Sequence, residues 1–274
     1  MVTTTQPHTR LSNGIQMPLL GLGVYDMYAA EAESAVINAL EIGYRLIDTA
    51  AAYNNETEIG NAVKQGGIDR NEIFITTKVG NTDQGYDNTL KAFETSLAKL
   101  QMDYVDLYLV HWPVKGLRKD TWLAMEKLAA EKRVRAIGVA NYLVPFLLEL
   151  EGYATILPVL DQVEFTPWLY NKELLQYCQQ RNIQLQSYSP ITRGKKFNDP
   201  RLMQLCEKYG RTPAQLILRW NIEHSISTIP KSSSKQRLQE NFDIFGFSLS
   251  AEDVAFMDGF NEGFRICENP MDML

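Results

Sequence analysis

The sequence predicts a closed (β/α)8 TIM barrel with an N-terminal β-hairpin and two extra helices, and three observations lead there. Eight short β-type runs recur along the chain. Segments with apolar residues at helical spacing lie between them. The only Gly-x-Gly, Gly21-Leu22-Gly23, is followed by Asp26 where an open dinucleotide-binding sheet needs a third glycine, which argues against the doubly wound competitor.

Ahead of the first barrel strand, RLSNGIQMP sets Asn13-Gly14 between short extended runs, a hairpin signal, and such a ribbon could plug the N-terminal mouth of the barrel. The eight runs cover 19–24, 44–48, 73–78, 105–111, 134–140, 159–165, 183–189 and 225–230. Helical spacing follows in Ala32, Val36, Ala39 and Leu40, in Leu90, Phe93, Leu97 and Leu100, and in Trp122, Met125, Leu128 and Ala129. The two extra helices are expected at 200–209, ahead of a repeat helix at 213–223, and at 251–260. With no repeat, low-complexity tract or linker, one domain over 1–274 is expected.

Composition narrows the function classes. The 274 residues, 45% hydrophobic, suffice for a large core. The start, MVTTTQPHTR, lacks the charged and apolar regions of a cleaved signal, and the most apolar stretch is broken by Pro145, Glu149, Glu151 and Pro158, so neither secretion nor membrane spanning is expected. Three cysteines without C-x-x-C spacing point to reduced thiols and a cytoplasmic setting rather than a disulfide framework or zinc site. A net charge of −6 argues against nucleic-acid or anionic-membrane partners, though a local basic patch can still hold a phosphate.

Active sites of such barrels form at the C-terminal ends of the strands. There the sequence places Asp48 and Tyr53 after the second run, Lys78 at the end of the third and His111 at the end of the fourth. Singly, Asp48 reads as a helix cap, Tyr53 as a rim aromatic, Lys78 as half of a structural ion pair and His111 as a core histidine. Four reactive types on consecutive strand ends point instead to catalysis. Asp48 can hold the charge on a buried Lys78, and that ammonium is expected to lower the pKa of Tyr53.

From GLGVY to IPKSSSKQRLQEN the chain resembles the aldo-keto reductases, with the long motifs GYRLIDTAAAYNNE, FITTKV and YVDLYLVHWP. The resemblance implies a bacterial-type member that uses NADPH/NADP+, no metal, and a catalytic tetrad at Asp48, Tyr53, Lys78 and His111. It implies hydride transfer to a carbonyl carbon, with Tyr53 giving the proton and His111 orienting the carbonyl oxygen. Asn141 and Gln162 are implied on the nicotinamide carboxamide, and Tyr188 on its ring with Ser189 beside it. Lys231, Ser232 and Arg237 fall on the adenosine 2′-phosphate, and Glu240 and Asn241 on adenine. Ala140 stands where the family commonly carries a serine, which removes one carboxamide hydrogen bond.

Tyr25 and Trp112 are expected to line an apolar substrate mouth, with the tail 261–274 covering the pocket. The loops PVKGLRKD and PITRGKKFND are short, which suits small aldehydes, methylglyoxal-like dicarbonyls or diketo sugar acids. A monomer acting on small carbonyl molecules is expected. The alternative reading is an NADP(H)-binding sensor or regulatory subunit with little turnover.

Overall fold

The computed structural model describes residues 6–273; residues 1–5 and Leu274 lie outside the described residues. Strands β1 (His8–Arg10) and β2 (Gln16–Pro18) pair antiparallel as the hairpin. Its turn is wider than a two-residue loop: Leu11 N–H donates to Ile15 O at 2.9 Å and Gly14 N–H to Leu11 O at 2.8 Å. Gly14 takes φ +89, a conformation that favours glycine. Leu11 and Met17 then pack with Leu46, Phe74, Leu107 and Leu160, so the ribbon closes one end of the barrel.

The barrel strands are β3 (Leu22–Gly23), β4 (Leu46–Asp48), β5 (Phe74–Val79), β6 (Val105–Val110), β7 (Val134–Ala140), β8 (Leu160–Glu164), β9 (Gln184–Tyr188) and β10 (Ser227–Ile229). Each pairs in parallel with the next. The ring closes where Gly21 N–H donates to Thr228 O at 2.9 Å and Thr228 N–H to Leu19 O at 2.8 Å. A Cβ on Gly21 would lie 2.5 Å from Leu46 Cγ, and one on Gly23 2.8 Å from Ile229 O. The Gly-x-Gly therefore serves close packing at the barrel seam, Gly21 against Leu46 of β4 and Gly23 against the backbone of the last strand.

Around the barrel run α1 (Ala29–Ile42), α2 (Glu56–Gln65), α3 (Tyr86–Leu100), α4 (Arg118–Ala130), α5 (Val144–Glu151), α6 (Lys172–Gln180), α7 (Pro200–Tyr209), α8 (Pro213–Glu223), α9 (Lys235–Phe242) and α10 (Ala251–Asp258). The extra helices are α7 and α10, the latter ending at Asp258, two residues short of the expected span. Helix α8 starts where its sequence says it should, with Pro213 in the first turn and a capping box between Thr212 and Gln215. Among the described residues no helix is long and apolar enough to cross a membrane.

Strand alternation sorts the side chains. Ile47, Ile75, Val79, Tyr108, Val110 and Val163 join the layer under the helices, whereas Leu46, Phe74, Leu107, Leu109 and Leu160 form the interior. Counting by twos from those interior residues toward the strand ends reaches Asp48, Lys78, His111 and Gln162. Parity alone puts them inside.

Candidate active site

The Lys78 and Asp48 side chains meet inside the barrel with Nζ 2.6 Å from Oδ1, their side chains 0% and 2% exposed. Register pairs Asp48 with Thr76 and Lys78 with Leu109, so the long lysine stem reaches back one level to its partner. Nζ also donates to Thr49 O at 2.9 Å and to the Tyr53 hydroxyl at 3.4 Å. Three oxygens thus take up the three N–H bonds of the ammonium.

Tyr53 reaches this spot from a 3-10 turn, Ala51–Tyr53, ended by Asn54 at φ 54. That turn explains the five-residue gap after Asp48: the chain leaves the strand, folds back and presents the phenol over the lysine. Buried Asn55 staples the loop, donating to Val24 O (2.9 Å) and Met27 O (3.0 Å) and accepting from Thr49 Oγ1 at 2.6 Å. His111, just beyond β6, meets the Tyr53 ring edge-on at 5.5 Å between centroids, and Tyr25 meets it at 5.1 Å from the other direction.

Burial works to strip the Lys78 proton, but the Asp48 carboxylate and Tyr53 outweigh it and hold the ammonium above the usual lysine range. Burial also lifts the Asp48 carboxyl, against the pull of Lys78 and of the Gln162 amide. The short Nζ to Oδ1 contact and the further hydrogen bonds to each partner favour the ionised form of this pair. Lys78 pulls the Tyr53 pKa down as expected, but the expected net lowering is corrected: burial is the larger effect and lifts it, and Asp48 pushes it up as well. Even half-buried, the phenol would lose more hydration on ionising than one ammonium at 3.4 Å returns. Burial pushes the His111 pKa down to about 3, helped by the Lys78 charge, so its imidazole is neutral near pH 7.

A second group of polar side chains lies beside these four. Gln162 Nε2 donates to Asp48 Oδ2 at 2.7 Å and to Gln186 Oε1 at 2.8 Å. Asn141, at φ 66, donates to His111 O at 2.9 Å and accepts from the Tyr188 hydroxyl at 2.7 Å. With both its N–H bonds spent, Gln162 offers free space only an oxygen, while Asn141 keeps one N–H.

Further along, Ser234 caps α9 by accepting from Arg237 N at 3.5 Å, and Ser232 is buried just before it. Arg237 is exposed. Lys231 crosses to the loop after β3, where Nζ donates to Asp26 O at 2.7 Å. Glu240 accepts from Thr212 Oγ1 at 2.7 Å, tying α9 to the start of α8. One cavity of about 1040 Å³ joins both regions, bordered by Tyr25, Asp48, Tyr53, His111, Trp112, Asn141, Gln162, Tyr188 and Ser189 and, at its far end, by Lys231, Ser232, Arg237, Glu240 and Asn241. Of the residues singled out for the site in the sequence, Lys78 and Ala140 are absent from that wall; Lys78 lies behind Asp48 and Tyr53.

The model of the Aldo/keto reductase family matches residues 20–262. The chain belongs to the aldo/keto reductase family. Glyoxal reductase of Bacillus subtilis (strain 168) is 48% identical to it over 275 residues, covering 100% of both chains. An aldo-keto reductase from a Medee basin deep-sea metagenome library superposes with a TM-score of 0.92 at 43% identity, covering 95% of this chain and 97% of that one. The Bombyx mori aldo-keto reductase, solved in complex with NADP, gives a TM-score of 0.91 at 33% identity over 97% and 96% of the two chains. The chain is accordingly an oxidoreductase of the carbonyl-reducing kind.

Several parts of this reductase's cavity were not singled out in the sequence. Arg193 borders it and lies over the Tyr25 ring at 5.7 Å, on a turn where Thr192 and Arg193 take φ 52 and 50. Ile266, Cys267 and Glu268 of the tail border it too, because Glu164 at the end of β8 accepts from Ile266 N at 2.6 Å and Cys267 N at 3.0 Å. The tail was expected over the pocket; its anchor was not. An acidic residue ending a barrel strand was the available signal, and Glu164 shares the interior parity of Gln162.

Proposed function

We propose that this chain reduces aldehydes and ketones to alcohols with NADPH, and that Tyr53 is the proton donor. The observation that carries the reading is Lys78 Nζ held between Asp48 Oδ1 at 2.6 Å and the Tyr53 hydroxyl at 3.4 Å beside a neutral His111. The cavity also fits the cofactor. Gln162 offers an acceptor and Asn141 a donor, the complement of a primary carboxamide. At the far end, Ser232 and the Arg237 guanidinium beside the α9 N-terminus suit a phosphate.

NADPH bound there supplies the hydride. His111 holds the substrate oxygen within reach of Tyr53. As negative charge grows on that oxygen, Tyr53 gives up its proton, and the Lys78 ammonium stabilises the phenolate left behind. Asp48 keeps Lys78 charged throughout. A phenol with a raised pKa stays protonated at neutral pH, so the acid is loaded before each turnover. Tyr25 and Trp112 on the cavity wall and the likeness to glyoxal reductase favour short dicarbonyl aldehydes as substrates.

The intact tetrad argues against the sensor reading. The test is Tyr53→Phe, assayed on an aldehyde panel by loss of NADPH absorbance. Turnover is expected to fall by about 10²- to 10⁴-fold with NADPH affinity nearly unchanged. A Phe variant that keeps wild-type turnover, or a wild type that binds NADPH and reduces nothing, would refute the proposal.

A further inference from the structure

Gln186 stands at the centre of a hydrogen-bond chain that crosses the barrel interior. Gln162 Nε2 donates to Asp48 Oδ2 at 2.7 Å and to Gln186 Oε1 at 2.8 Å. Gln186 Nε2 donates to Ser227 Oγ at 3.1 Å, and Ser227 Oγ faces Pro18 O of the hairpin at 3.5 Å. Asp48 and Gln162 are 2% exposed, Gln186 and Ser227 0%.

The direction of this chain is fixed at one end. An ionised Asp48 only accepts, so the nitrogen of Gln162 must face it. The second N–H of that nitrogen then needs an acceptor in a place water does not reach, and Gln186 Oε1 provides it. One hydrogen bond would leave the Gln162 amide free to swing about the line to Asp48. Two fix its plane, and with it the position of Oε1 on the cavity wall.

We propose that Gln186 is a positioning residue: it locks the Gln162 amide so that Oε1 stands ready for the nicotinamide carboxamide while Nε2 stays on Asp48. The inference rests on the reading of the cavity as an NADPH site. Through Gln162 the same contact ties cofactor binding to the carboxylate that charges Lys78. A substitution at Gln186 should therefore be felt in cofactor affinity first and in kcat second.

The experiment compares wild type, Gln186→Met, Gln186→Glu and Tyr53→Phe by NADPH titration, steady-state kinetics and thermal melting. Met keeps the length and removes the acceptor, and should weaken NADPH about three- to tenfold, the scale of one hydrogen bond. A Glu buried there takes up a proton, so its carbonyl oxygen accepts from Gln162 and its hydroxyl donates to Ser227. It should recover affinity to within about twofold of wild type. Wild-type affinity in a folded Met variant overturns the proposal, as does an equal loss in Met and Glu, which would mean that only packing matters there. Should the Met variant not fold, Ser227→Ala lets the Gln186 amide turn, and affinity should drop about twofold; no drop overturns the proposal. Failure of the underlying reading looks different: wild type would not bind NADPH, or Tyr53→Phe would turn over normally.

Discussion

Toward the N-terminal end of the barrel the interior is filled by Leu46, Phe74, Leu107 and Leu160 under the hairpin's Leu11 and Met17. Toward the other end the same sheet presents Asp48, Lys78, Gln162 and Gln186, joined by hydrogen bonds. Each end has its own cavity. The one of about 620 Å³ beside the hairpin turn, between Arg10 and Ile226, touches none of the tetrad, whereas the one of about 1040 Å³ is bordered by Asp48, Tyr53 and His111. Two residues along a strand are enough to pass from packing to chemistry. The apolar floor supplies rigidity and excludes water, which strengthens the electrostatics of the layer above it.

This division has measurable consequences. Lys78→Met leaves the buried Asp48 carboxylate without its cation and should cost about 3–5 kcal/mol in denaturant unfolding, with turnover lost. Adding Asp48→Asn to it should restore much of the stability and none of the activity. Restored activity would mean that the ion pair only supports the fold.

Met17→Ala probes the other layer. It should cost about 2–5 kcal/mol of stability through the cavity it leaves. Below the melting range kcat/KM should stay at the wild-type value. A parallel fall in kcat/KM would show that the floor tunes the site as well as supporting it.

Arg237→Ala should weaken NADPH by about 1.5–3 kcal/mol, roughly ten- to hundredfold, and NADH far less. Lys231→Ala should cost less than Arg237→Ala, because its Nζ is already engaged by Asp26 O at 2.7 Å. Titrations of both cofactors check this; equal losses for NADPH and NADH would remove the phosphate clamp.

The gentlest probe is pH. With the folded His111 pKa pushed down to about 3 and an unfolded value near 6.5, the neutral ring contributes stability that is complete above about pH 6.5. That contribution is lost as pH falls toward 3, since only the unfolded chain takes up the proton. NMR of the His111 ring should therefore show no titration between pH 5 and 8. A midpoint near 6 would mean that the ring is hydrated.

Much of this was legible in the sequence because strand alternation is a local property. The eight runs, the boundaries of α7 and α8, and the placing of Asp48, Lys78 and His111 at strand ends all follow from patterns spanning a few residues. The motif resemblance added the cofactor end, and the cavity gathers Lys231, Ser232, Arg237, Glu240 and Asn241 there. What the sequence could not settle depends on how far each group is buried and on partners distant in the chain. The Tyr53 pKa went the other way because desolvation is set by the whole surrounding wall. Lys231 turned to Asp26, 205 residues away, a contact that exists only once the barrel closes. Glu164 became the anchor of a tail some hundred residues downstream, and Gln186 the fixed end of the Gln162 amide. Local patterns determined which residues face inward; only tertiary closure decided which of them meet, because hydrogen bonds and charge in a dry interior depend on distances of a few ångströms that chain spacing does not encode.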